Sequence, residues 1–194
     1  MSAPRHSYTE AMKPRPHDPR HLDVEAFAKD AAVLEGEWPL PALERLTDAA
    51  HGDVPPTPSD MATWRAEGEL RAVRGSQPQV WLRLRAWTRL SLVCQRCLGP
   101  VDTPLQIERS FLFVAGEEAA AQLDADSDDD VLALTRSLDV RELIEDELLL
   151  ALPLVPRHDL CPQPLPMEQP DDAVEERPNP FAALAALKRN GPPN

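Results

Sequence analysis

Residues 79–93, QVWLRLRAWTRLSLV, keep a period of two for fifteen residues, and no other stretch restricts the fold as strongly. One side reads Val80, Leu82, Leu84, Ala86, Thr88, Leu90 and Leu92. The other reads Trp81, Arg83, Arg85, Trp87, Arg89, Ser91 and Val93. Successive side chains of an extended chain point to opposite faces, so this pattern makes a long strand with one face in a core. A helix would scatter the same leucines around its circumference. A partner strand is predicted over 63–73, joined through Arg74-Gly75-Ser76-Gln77-Pro78, which makes an antiparallel hairpin. A third strand over 105–114 puts Leu105, Ile107, Phe111 and Phe113 on one face.

Helices are predicted before and after these strands in the chain, packed against one face of the sheet. Residues 22–35 place Leu22, Ala26, Ala31 and Leu34 near one helical face, with Gly36 as a stop. A second helix is expected from Pro41 to Ala50, where proline suits the first turn. The stretch 51–60, HGDVPPTPSD, is a turn-rich linker. Residues 116–130 end in DSDDD and predict a solvated acidic loop. Asp139 then opens a helix, able to cap it together with Glu142, and Val140, Leu143, Ile144 and Leu148 form the apolar stripe up to Pro153. Arg141, Glu142, Glu145 and Asp146 are expected to face water. The element order predicts an α+β fold, helices against an antiparallel sheet of about three or more strands.

Proline marks the ends of that domain. The chain has 22 prolines in 194 residues, roughly double ordinary usage, clustered at 4–19, 39–58, 153–170 and 178–193. The expected organisation is a disordered tail over 1–20, one α+β domain over 21–160 and a Pro-rich tail over 161–194 with a short helix at 180–189. No run of about 18 uncharged apolar residues is present, which excludes a transmembrane helix. The first twenty residues have no apolar core of a secretory signal. Three cysteines, including a close pair, do not form a disulfide framework. A cytoplasmic location is the expectation, with neither membrane nor DNA as partner.

The net charge of −13 is unevenly spread. Residues 61–113 carry eight arginines against Glu67, Glu69, Asp102 and Glu108, a local charge of +4, whereas residues 115–172 sum to −13. Phosphates repel acidic proteins, so the total argues against nucleic acid while the basic segment argues for it. On the strand face, Trp81, Arg83, Arg85, Trp87 and Arg89, with Arg96 beyond, combine guanidinium groups for phosphates with aromatic planes for unpaired bases. The same pattern also fits tryptophans covering helices while arginines splay at the edge.

Cys94-Gln95-Arg96-Cys97 is the second feature. Two thiolates three apart on a turn can share a tetrahedral zinc ion that needs four ligands, and His158 and Cys161 are the candidates for the other two. Two further readings stay open: a redox pair, although that chemistry favours a helix start, or two plain thiols. Glu142, Glu145, Asp146 and Glu147 read as a solvated helix face more readily than as a cation site. No G-x-S-x-G, H-E-x-x-H or Walker loop is present, so no enzymatic activity is expected. In 178–189, PNPFAALAALKR, Pro180 precedes a short helix with Phe181, Leu184 and Leu187. Such a helix is too short to stand alone and must dock on its own domain or a partner.

Three blocks taken together resemble the YceD family, the large ribosomal RNA subunit accumulation proteins. They are L-x-x-C-Q-R-C-L at 90–98, the segment 139–159, DVRELIEDELLLALPLVPRHD, and PNPFAALAALK at 178–188. The resemblance implies a cytoplasmic ribosome biogenesis factor for synthesis, processing or stability of 23S ribosomal RNA. It implies no catalytic residue, and partners among 23S rRNA, its precursor or large-subunit components. Some members resemble zinc ribbons with a second cysteine pair, where this chain has only Cys161 and His158. The alternative expectation is an acidic protein–protein adaptor that recruits a ribosomal protein or processing enzyme without touching RNA.

Overall fold

The computed structural model describes residues 17–162. Helix α1, Val24–Lys29, leads into strand β1, Val33–Pro39; a 3₁₀ turn at Leu40–Ala42 and helix α2, Glu44–Asp48, follow. Strands β2, Met61–Arg71, β3, Gln79–Val93, and β4, Pro100–Val114, form a continuous antiparallel meander with β1. Helix α3, Glu117–Asp126, crosses to β5, Asp130–Ala133, which pairs with β4 in parallel, and α4, Val140–Leu150, closes the described fold. The sheet order is β1-β2-β3-β4-β5, so the α+β architecture holds with a five-stranded mixed sheet.

β3 follows its alternation without a slip. Leu82, Leu84, Thr88, Leu90 and Leu92 are buried, while Arg83, Arg85, Trp87 and Arg89 are exposed. Helices α1, α2 and α4 cover the leucine face, where Phe27, Leu46, Ile144 and Leu148 are fully buried. Gly68 on β2 lets α1 come this close. A Cβ there would lie 2.7 Å from the carbonyl oxygen of Phe27.

The expected helix over 22–35 is corrected at both ends. Asp23 caps α1 by accepting from the Ala26 amide at 3.0 Å, but the helix stops at Lys29 and Ala31 turns the chain with φ of 46°. Residues 33–39 then alternate as a strand: Val33, Glu35 and Glu37 point out, whereas Leu34 and Trp38 pack inward. Gly36 is not a helix stop but a gap for the indole of Trp64; a Cβ there would sit 3.1 Å from that ring. Trp64 in turn stacks on Trp38, centroids 4.5 Å apart. A helical period and a strand period were both readable in these few apolar residues, and pairing with β2 selected the strand.

The expected acidic loop over 116–130 is also corrected. Its alanines and two leading glutamates make α3, since Glu117 and Glu118 sit where the helix dipole favours anions. Ala120 of α3 and Val131 of β5 cover Trp81 and Leu112 on the otherwise open side of the sheet. Residues 17–20, placed in the tail from sequence, belong to the fold: Arg20 pairs with Asp139 at 2.8 Å, and Leu22 and Leu138 exchange two backbone bonds of 2.9 Å. The readings made for 1–16 and for the helix at 180–189 lie outside the described residues.

At α4 the Asp139 half of the expected cap forms, without a return bond from the Glu142 side chain among the described residues. Asp139 accepts from the amides of Arg141 at 2.9 Å and Glu142 at 3.2 Å. Its carboxylates are not all solvated, however. Glu145 and Glu147 are buried. Leu43, at the cap position of α2, offers no side-chain acceptor, and Glu145 supplies one across the layer, accepting from the Arg45 amide at 2.7 Å and the Leu46 amide at 3.2 Å.

Candidate functional site

Cross-strand register assembles the open face of the sheet from neighbouring strands. One row runs Glu35–Arg65–Arg85–Glu108 and the next Glu37–Thr63–Trp87–Gln106. Arg83 and Arg85 both bond Glu108, the latter at 3.1 Å. Arg89 grips Asp102, with Nε 3.0 Å from Oδ2. Arg65 reaches Glu67 at 2.6 Å and Glu35 at 2.9 Å. The bonds from Arg83, then Arg85, hold the Glu108 carboxyl below the usual range, and Arg65 does the same for Glu67. Counted over β1–β4, five arginines on this face meet six carboxylates, because β1 adds Glu35 and Glu37 to the acids of the basic segment. Arg74, Arg96 and Arg109 lie off this face, so a segment of local charge +4 presents a nearly neutral sheet surface.

Of the sequence-predicted face residues, Trp81 is the correction. It is 5% exposed, packed under Ala120, with the guanidinium of Arg71 4.0 Å above its ring, so no base can reach that plane. Trp87, two residues along, is 44% exposed beside a shallow groove of about 380 Å³. Arg96 lies beyond the end of β3, exposed and without an ion pair among the described residues.

The four predicted sulfur and nitrogen donors do come together. Cys94, Cys97, His158 and Cys161 bring their ligand atoms within 4.8 Å of one another. Cys94 Sγ lies 4.0 Å from Cys161 Sγ, and Cys97 Sγ lies 3.5 Å from His158 Nδ1. The turn joining β3 to β4 is tied by bonds from the Cys94 amide to the Gly99 carbonyl and from the Leu98 amide to the Cys94 carbonyl, each 2.9 Å, with Leu98 at φ of 60°. The chain returning from α4 is fixed to it by the Gln95 amide donating to the Pro156 carbonyl at 2.8 Å.

Three features of this cluster suit a metal. His158 Nε2 donates to the Pro100 carbonyl at 3.0 Å, which leaves the Nδ1 lone pair facing the cysteines. Burial opposes charge on the Cys94 thiol, yet bonds from the Cys97, Arg96 and His158 amides and from the Cys97 thiol bring it down to about 5. A thiolate is the ligating form. Cys94 Sγ and Cys161 Sγ, 4.0 Å apart, are slightly wider than the roughly 3.7 Å between sulfurs that Zn–S bonds of about 2.3 Å give in a tetrahedron, and the full set, within 4.8 Å, would close by up to about 1 Å around the ion. Burial, then the neighbouring thiols, pushes the Cys161 thiol up. No helix starts at Cys94, which lies between two strands, unlike a dithiol redox centre.

His51 had no signal in the sequence beyond its place in the linker. It is buried, accepts from the Asp53 amide on Nδ1 at 3.1 Å and so donates from Nε2 to the Leu98 carbonyl at 3.1 Å. That bond braces the turn at its left-handed residue. Three carboxylates of α4 are engaged by arginines: Glu145 and Asp146 both bond Arg45, and Glu147 bonds Arg109 at 2.9 Å. Pro180, Phe181, Leu184 and Leu187, the predicted docking residues, lie outside the described residues.

Compared with known proteins, residues 82–188 match the family model described as "Large ribosomal RNA subunit accumulation protein YceD". A relative of that same description from Haemophilus influenzae is 33% identical over 105 residues, covering 52% of this chain. The chain matches 60% of the length of that relative. No solved structure matches.

Proposed function

This chain belongs to the YceD family, and on that premise we propose that it supports accumulation of large-subunit ribosomal RNA by binding 23S rRNA, its precursor or the assembling subunit. The observation that carries the reading is the extent of the family match, which takes in β3, the cysteine turn, β4, α4 and the returning His158–Cys161 segment. The matched part thus includes the donor cluster and the β3–β4 part of the open sheet face, while β1 and β2 precede it. The protein acts in this reading as a binding factor of the cytoplasm, without catalysis. No helix among the described residues is long and apolar enough to cross a membrane.

Cys94, Cys97, His158 and Cys161 would hold a structural zinc ion. The ion would supply a cross-link, securing the segment after α4 to the β3–β4 turn and fixing Arg96 at the surface. Purified protein is expected to carry about one zinc per chain, and less than about 0.2 would overturn the four-ligand site.

Ultraviolet crosslinking in growing cells, followed by sequencing of the attached RNA, tests the main reading. Reads concentrated in one region of 23S rRNA support it, and a profile at background sinks direct contact. The adaptor alternative has one observation in its favour. Glu117, Glu118, Asp126, Asp128 and Asp129 are exposed around α3 with no ion pair among the described residues, a surface for a basic partner protein. An adaptor working through the terminal segment would lose its partner when 178–194 is deleted, whereas RNA contact through the sheet would persist.

A further inference from the structure

Trp87 is an anomaly on its strand. An indole is large enough that sheets ordinarily cover it, as α3 covers Trp81, yet Trp87 stands 44% exposed on the open face. Its row neighbours are Thr63 and Gln106, and the adjoining row brings Arg65 and Arg85 to the same groove of about 380 Å³. The Thr63 hydroxyl is committed to the Trp87 carbonyl at 3.3 Å. Gln106 is exposed and its amide has no hydrogen-bond partner among the described residues. An amide offers one acceptor and two donor hydrogens, the complement of a base edge.

The charges around the groove decide between two kinds of ligand. Arg85 is held by Glu108, and Arg65 by Glu35 and Glu67. A phosphate would have to displace a carboxylate from a guanidinium on a face that already holds six acids to five arginines. An uncharged heteroaromatic ring displaces nothing, and it meets one aromatic plane and guanidinium groups whose positions are set by their acids. We propose that this groove binds a single unpaired nucleobase of RNA, stacked on Trp87, with Gln106 reading its edge. The inference rests on the RNA reading above and makes base stacking, rather than phosphate pairing by Arg83, Arg85 and Arg89, the contribution of the sheet.

Stacking predicts binding of single strands, because bases in a duplex are already stacked on one another. The test is intrinsic tryptophan fluorescence of the full chain, titrated with single-stranded fragments of large-subunit rRNA and with a duplex of equal length. Trp64 and Trp81 are buried and Trp38 is half-buried, stacked on Trp64, so Trp87 is the emitter most open to quenching. Quenching by single strands and not by duplex is expected, together with its loss in Trp87→Phe. Trp87→Ala should weaken affinity about ten- to hundredfold with an unchanged circular dichroism spectrum. Gln106→Ala should reduce discrimination among bases more than it reduces affinity. Binding of single strands without quenching, and undiminished in Trp87→Ala, would overturn the nucleobase site and leave RNA binding standing. Failure of the wild type to bind any fragment, with no crosslinks in cells, would remove the RNA reading itself and the nucleobase site with it.

Discussion

Ion pairs on the two faces of this sheet serve opposite ends. On the covered face they tie helices to their neighbours: Glu145 of α4 receives two amides and the guanidinium of α2, and Glu147 meets Arg109 of β4. On the open face they run within the sheet, strand to neighbouring strand, as in Arg83 and Arg85 with Glu108 or Arg89 with Asp102. The first kind joins elements that would otherwise present orphan backbone donors in a core. The second kind cancels charge on a surface that water already solvates, where such pairs add little stability. One face is built for cohesion, and the other leaves Trp87 available.

The sharpest way to break the contrast is to cut adjacent residues of β3. Leu84→Ala should cost about 2–5 kcal/mol by chemical denaturation, because Leu84 is fully buried among helices. Arg85→Ala, one residue on, should leave the denaturation midpoint nearly unmoved, and equal losses at the two positions would refute the division of faces. Next in size, Glu145→Ala strips acceptors from the Arg45 and Leu46 amides, and unsatisfied buried donors of that kind cost about 1–3 kcal/mol. Glu145→Gln, which keeps a carbonyl acceptor, should recover part of this loss in the same assay.

Changes on the open face should register in binding before they register in stability. Glu108→Gln frees Arg83 and Arg85 from their shared acid. RNA affinity of this variant should rise at low salt and its salt dependence should steepen, since the freed guanidiniums can then meet phosphates. An unchanged salt slope would mean that phosphates do not approach this face even when cations are available. The smallest effect concerns pH. Glu108 is held below the usual carboxylate range, so its contribution to stability is complete above that range and lost as pH falls through its lowered folded value. Any difference in stability between wild type and Glu108→Gln should therefore shrink in acid, and a difference that grows there would contradict the pairing with Arg83 and Arg85.

Strand β3, its hairpin partner β2, the Asp139 cap and the identity of the four donor side chains were all legible in the order of residues. Each depends on neighbours in the chain: a period of two over fifteen positions, a Gly-containing turn, an acid before an apolar stripe, and ligating side chains in two short clusters. Helix α3 and strand β5 were not, because an alanine-rich acidic segment and a four-residue strand carry too little periodicity to separate from a loop. Nor was the neutrality of the open face, because Glu35 and Glu37 reach it only when 33–39 becomes a strand.

The amino-acid sequence by itself determined which residues of β3 face in and which face out, since alternation follows from the geometry of one extended chain. Only the tertiary structure decided that Trp81 is buried and Trp87 open, that Glu145 is a cap for another helix, and that His51 braces the cysteine turn. Those outcomes depend on groups from 30 to 100 positions away. Burial and charge pairing are set by what packs there, and a local pattern does not record its distant partners.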